Sequence, residues 1–240
     1  MNGNAACGWT LVVMLALTGP AAAPAQEAST PVADRLWYEE QEAGTDPYPV
    51  RITVSSAYLR IDDDDDQGDF VLLDRAAGTV YSVSHDERTI LEIRPRQSGP
   101  GLPDDLVLDA AVTSDQDAPA IAGHAAVLVD LTANGASCYH VAAVPGLLEA
   151  AVAGMADYAR VLGRRQAESL QTVPQEIQTP CFLARYVYAP DRYLRYGLPI
   201  QEWDGAGYRR ALVDFRGGVA VDAGLFTLPA DYRRVSYGAD

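Results

Sequence analysis

Cys138 and His140 stand two residues apart in the run Cys138-Tyr139-His140-Val141-Ala142, and a strand sends residues at that spacing to one face. A thiol beside an imidazole can act as an activated nucleophile. Cys138 also has a second cysteine available, Cys181, and an even pair in an oxidising compartment forms a disulfide. That bridge would close a loop of about 44 residues and, by chain entropy, contribute up to roughly 4 kcal/mol. The disulfide is the favoured reading, with the nucleophile as its competitor.

The next candidate is the acidic run Asp62 to Asp66, with Asp69 and Asp74 beyond it. Asp63, Asp65, Gln67, Gly68 and Asp74 fall where a calcium-binding loop places ligands and its glycine. Three features oppose calcium. Gln67 replaces an Asp or Asn, Asp74 replaces a bidentate Glu, and the flanks read as strands where helices belong. A solvated turn is the plainer account of these aspartates, and no metal site is assigned. His85, His124 and His140 have no zinc spacing. There is no nucleophile-elbow serine, phosphate loop or dinucleotide fingerprint, so no catalytic residue and no cofactor is assigned. Tyr186, Tyr188, Tyr193 and Tyr196 cluster, which suits aromatic core packing first and a ligand wall second.

The elements that must position these residues are mostly strands. Val50, Ile52 and Val54 alternate with Arg51, Thr53 and Ser55, and Leu59 and Ile61 flank Arg60. Phe70–Leu73, Thr79–Val83 and Thr89–Ile93 follow with short polar turns between them, one relying on Gly78 for a positive φ. This predicts an antiparallel meander. Leu36–Glu40 predicts a strand before it. Pro95, Pro100 and Pro103 mark a loop over 94–105. Ala125–Leu131 and Cys138–Ala142 predict a hairpin turning at Ala133-Asn134-Gly135. Leu148, Val152, Met155, Ala159 and Leu162 recur at helical steps and predict one main helix, ending at Gly163 or before Pro174. Further strands are expected at 181–188, 198–203, 208–215 and around Val219-Ala220-Val221.

Residues 1–25 read as a secretory signal. Leu11–Leu17 has the length of an h-region, and Ala23-Pro24-Ala25 offers cleavage after Ala25, although the n-region lacks Lys and Arg. Cys7 precedes the apolar core, so it is not placed to accept a lipid, and no stable membrane anchor is expected. A flexible lead-in over 26–35 and one domain over 36–240 follow, within the roughly 200–250 residues common for single β-rich domains. The net charge is −15 and all 18 basic residues are arginine. So acidic a chain argues against nucleic acid or anionic membrane surfaces as partners, because phosphates require clustered cations.

The segments YLRIDD (58–63) and DRAAGTVYSVSHDERTILEI (74–93) resemble a family of exported bacterial proteins related to the outer-membrane lipoprotein carriers LolA and LolB. AIAGHAAVLVDL (120–131), YGLPIQEWDGAGYRRALVDF (196–215) and the closing Phe226-x-x-Pro229-x-x-Tyr232 agree in order. The resemblance implies an α+β fold that is mostly antiparallel β: a curved, half-open sheet with one main helix packed on its concave face. In such carriers the cavity holds acyl chains. The expectation is therefore a periplasmic, non-enzymatic module that holds an apolar or lipid-like ligand between sheet and helix. Leu148, Val152, Met155, Ala159 and Leu162 would form the cavity lid. The alternative is an interaction or sensor protein of the cell envelope with a filled core and a protein partner.

Overall fold

The computed structural model describes residues 30–94, 99–114 and 120–236. The expected signal peptide and its cleavage site after Ala25 lie outside the described residues. Twelve strands form one open sheet in the order β12-β6-β5-β4-β3-β2-β1-β11-β10-β9-β8-β7. They are β1 (Val32–Gln41), β2 (Tyr48–Ser55), β3 (Tyr58–Asp62), β4 (Phe70–Asp74), β5 (Thr79–Ser84), β6 (Thr89–Ile93), β7 (Leu108–Ser114), β8 (Val127–Ala133), β9 (Ala136–Val144), β10 (Leu198–Trp203), β11 (Arg209–Ala220) and β12 (Arg233–Ser236). Every pairing is antiparallel except that of β12 with β6. The helices are α1 (Glu149–Glu168) and the short α2 (Pro180–Leu183).

The meander β2 to β6 follows the alternation of its residues. Ile52, Val54, Leu59, Leu73 and Val80 are buried against α1. Phe70, Leu72, Val83 and Ile90 point the opposite way, where Val221, Leu225 and Phe226 cover them. The sheet therefore buries both faces at this end, one under a helix and the other under the chain's closing segment. Asn134 and Gly135, at φ 49° and 79°, make the two-residue turn between β8 and β9.

Several expectations need correction. β1 begins at Val32, so residues 32–35, expected to lead in flexibly, are the start of a central strand. The segment expected to be a strand over 181–188 is helical: α2 runs into a π-helical turn at Ala184–Tyr188. Its start signal stands in the sequence, because Thr179 Oγ1 accepts from Phe182 N at 3.2 Å and Pro180 occupies the first turn. Gly163 does not end α1 but lies within it, against Pro190. The two last expected strands are one, since β11 runs on through Gly217 and Gly218 to Ala220.

Helix α1 lies close against the sheet at Gly154, where an added Cβ would lie 2.5 Å from Val54 Cγ1. Its buried residues are Ala151, Gly154, Met155, Ala156, Val161 and Gly163. Leu148 is not part of the helix. It is the residue before it, at φ 46°, and turns the chain from β9 into α1. Its side chain occupies the space that a Cβ on Gly217 would need, 2.8 Å away.

Candidate functional site

Beneath the C-terminal half of α1 lies a cavity of about 580 Å³, within the ~300–1,000 Å³ range of small-molecule sites. One wall is aliphatic: Val50 and Ile52 from β2, Leu59 and Ile61 from β3, and Met155, Ala159 and Leu162 from α1. Three of the five expected lid residues thus line it. Val152 faces the other flank of the helix, in a groove with Ala153 and Ala156. Leu148 lies against Gly217 and takes no part in the lining.

The opposite wall is polar and is built by cross-strand register. Glu40 on β1 and Glu202 on β10 both stand opposite Arg210 on β11. Arg210 Nε is 3.0 Å from Glu40 Oε1, and its Nη1 is 3.3 Å from Glu202 Oε1. The other Glu202 oxygen accepts from the Tyr139 hydroxyl. The Arg210 guanidinium lies over the Tyr38 ring, 3.8 Å from its centroid, a cation–π contact. Burial works against the Arg210 charge, but Glu202, Tyr38 and Glu40 outweigh it and hold its pKa well above the usual value. Burial pushes the Glu40 carboxyl up despite Arg210. The Tyr139, Tyr193 and Tyr208 phenols are raised as well, chiefly by burial.

A third side is formed by the π-helical turn. Arg185 lies 3.9 Å from the Tyr139 ring centroid and pairs with Asp204 at 2.6 Å. Tyr186 is 46% exposed at the rim. The Cys138–Cys181 disulfide ties this segment to β9, with a Cα–Cα distance of 5.2 Å. With both sulfurs bonded, the nucleophile reading of Cys138 falls. Tyr158, Tyr193 and Tyr208 also line the cavity, and among the described residues their hydroxyls have no hydrogen-bond partner. Such hydroxyls can donate to, or accept from, a bound molecule.

The tyrosine cluster divides. Tyr186 and Tyr193 line this cavity, while Tyr188 and Tyr196 line a second one beyond the same segment. The histidines are dispersed and locally engaged. His85 Nδ1 is 2.7 Å from the Tyr232 hydroxyl, His124 Nδ1 is 3.0 Å from the Pro145 carbonyl, and His140 stacks on Trp203 at 5.1 Å.

The acidic run encloses a guanidinium. Arg51 Nε contacts Asp62 Oδ1 at 2.8 Å, Nη1 contacts Asp64 at 2.8 Å and Nη2 contacts Asp66 at 2.5 Å. Asp62 also binds Arg60 Nε at 2.6 Å, and Arg60 reaches the Leu225 carbonyl at 2.9 Å. Three aspartates are therefore occupied by arginine, and the turn expected to be merely solvated ties the strands to the closing segment. Among the described residues no group of three or more His, Cys, Asp or Glu is placed to hold a metal.

The polar wall escaped the sequence reading. Leu36, Tyr38 and Glu40 share one strand face, so a carboxylate on a buried alternation was the available signal. Its partners could not be read, because Arg210 and Glu202 reach it only through a sheet order that the sequence does not spell out.

No family model matches the chain, and no curated protein matches it. Among solved structures it is similar to an uncharacterized conserved protein from Thermus thermophilus, with 10% identity and a TM-score of 0.42, covering 85% of this chain and 90% of that one. It is also similar to PNGF-II, with 9% identity and a TM-score of 0.39 over 87% of this chain and 31% of that one. Both likenesses fall below the level at which a shared fold is shown.

Proposed function

We propose that the protein is a non-enzymatic binding module of the bacterial periplasm that holds an apolar or lipid-like ligand between the sheet and α1. The observation that carries this reading is the cavity of about 580 Å³ with one aliphatic and one polar wall. An acyl or other apolar portion would lie along Val50, Ile52, Leu59, Ile61 and Leu162. A polar end would meet the unpartnered hydroxyls of Tyr158, Tyr193 and Tyr208. The cavity carboxylates Glu40 and Glu202 are both committed to Arg210, which favours binding over acid–base chemistry.

In this reading the sheet curves about α1 as in the LolA and LolB carriers, and residues 1–25 direct export. An oxidising compartment is where a disulfide such as Cys138–Cys181 persists. No described helix is long and apolar enough to cross a membrane. A sensor or interaction protein with a filled core would leave no such space beneath the helix.

The test is native mass spectrometry of protein exported to a bacterial periplasm and purified without detergent. A mass excess that disappears on organic extraction, and that Ala159→Trp removes without lowering the urea midpoint, is the expected result. No adduct even after incubation with envelope lipids would overturn the reading.

A further inference from the structure

Among the described residues four arginines are buried: Arg51, Arg60, Arg192 and Arg210. Three of them are matched by carboxylates, Arg51 and Arg60 through the aspartate run and Arg210 through Glu40 and Glu202. Arg192 is not. It is 8% exposed, and no carboxylate among the described residues lies within ion-pair distance. Its one hydrogen bond runs from Nη1 to the Thr132 carbonyl at 2.9 Å, which leaves most of a guanidinium's five donors free. Its remaining donors are not sealed away from the cavity, and burial depresses its pKa, with Tyr196 opposing and Arg195 adding to the effect. In a chain with a net charge of −15, carboxylates are plentiful, yet among the described residues none is paired with Arg192.

Arg192 lines a cavity of about 510 Å³ between the turn Arg192–Tyr196 and strands β7 and β8. Arg195, Tyr188 and Tyr196 line it too, over an apolar floor that includes Leu108. It shares no lining residue with the cavity beneath α1. Neither tyrosine hydroxyl has a hydrogen-bond partner among the described residues. Asp109 is the one carboxylate in the lining; it is exposed and accepts from Ala110 N at 2.7 Å.

We propose that this cavity is a binding site for a small oxyanion, a carboxylate or phosphate group, seated on Arg192 with Arg195, Tyr188 and Tyr196 as further donors. The planar guanidinium fork fits two oxygens of either group side by side. Binding supplies the counter-charge that the protein withholds, and the exposed Asp109 at the margin disfavours a second negative group on the same ligand. The site stands whether or not the cavity beneath α1 holds a lipid.

The experiment is thermal unfolding of the intact protein at constant ionic strength, with sodium phosphate or sodium acetate exchanged for sodium chloride. A higher Tm in phosphate or in acetate than in chloride is expected, and which salt acts names the oxyanion. Arg192→Leu should abolish that rise while still unfolding cooperatively in chloride, since it removes the guanidinium and, of the protein's own contacts, the single hydrogen bond to the Thr132 carbonyl. The exposed Arg195→Gln should weaken the apparent affinity about tenfold, the loss of one charge-assisted contact. Equal Tm in all three salts, or a rise that persists in Arg192→Leu, overturns the proposal.

Discussion

Arg210 and Glu202 face each other across β11 and β10 with only 9% and 2% of their surfaces exposed, and Nη1 lies 3.3 Å from Oε1. Because Glu40 holds the other side of the same guanidinium, one cation serves two carboxylates, Glu202 buried and Glu40 partly buried. Arg210→Met should therefore destabilise the protein by about 3–5 kcal/mol at neutral pH, the scale of breaking a buried pair. Burial already raises Glu40, so that carboxylate, once stranded, takes up a proton readily. The deficit should shrink as the pH falls towards 5. Urea unfolding at both pH values checks this, and an equal deficit at both would point to packing rather than charge.

The buried phenols govern the alkaline limit. Burial pushes Tyr158 up to about 12 from 10.0, and Glu40 adds to the rise while Arg210 opposes it. A folded pKa above the unfolded one gives stability that is complete below pH 10 and lost as the pH climbs through 12. Each tenfold difference in proton affinity between the folded and unfolded chain corresponds to about 1.4 kcal/mol. Tyrosinate absorbance followed with near-ultraviolet circular dichroism should show the late-titrating phenols ionising only as tertiary structure disappears. Early ionisation with the fold intact would refute the burial.

At Gly154 two effects compete. Alanine there gains roughly 1 kcal/mol of helix propensity, but its Cβ would meet Val54 Cγ1 at 2.5 Å, and overpacking costs about 1–3 kcal/mol. The branched valine cannot swing clear, so Gly154→Ala should lower the urea midpoint. Combining it with Val54→Ala should recover part of the loss.

Asp62 bonds both Arg51 and Arg60. Asp62→Ala should cost about 3–5 kcal/mol, as expected when a buried ion pair loses one member. With Asp62, Asp64 and Asp66 occupied, roughly 1 mM calcium, the range of weak extracellular sites, should leave the melting temperature of the parent unchanged.

Reduction of Cys138–Cys181, which spans a sequence separation of 43, should lower stability by up to about 4 kcal/mol. Urea midpoints with and without a thiol reductant measure this. An unchanged midpoint would mean that the reduced unfolded chain is already compact.

The meander was legible because Val50 to Ile61 alternates, Phe70–Leu73 is the unbroken apolar run of a strand covered on both faces, and the turns are short. The Asn134-Gly135 turn was equally plain. The segment after Thr179 misled because Cys181, Leu183, Val187 and their neighbours are as apolar as a strand, while the Thr-Pro start signal spans only two residues. The helix lid was misassigned in part because large apolar residues dominate a periodicity reading. The stripe that touches the sheet runs instead through Ala151 and Gly154, whose small size permits the contact. Strand β7 was missed since most of it is exposed at the sheet edge, and β12 because it is defined by its partner β6.

The place of β1 in the sheet bears on how the chain folds. Strands β1 to β6 form one continuous run of neighbours and β7 to β9 another, each closing short loops, whereas β1 meets β11 with Gln41 opposite Arg209 and Val32 opposite Ala220. Closure over such distances in sequence is entropically slow and follows local pairing. The β1–β11 join is thus a seam, sealed only when most of the chain is available. Glu40 and Arg210 meet across it, so an unsealed molecule would keep Arg210 paired with Glu202 but hold Glu40 apart from them, and the polar wall would lack one of its two carboxylates.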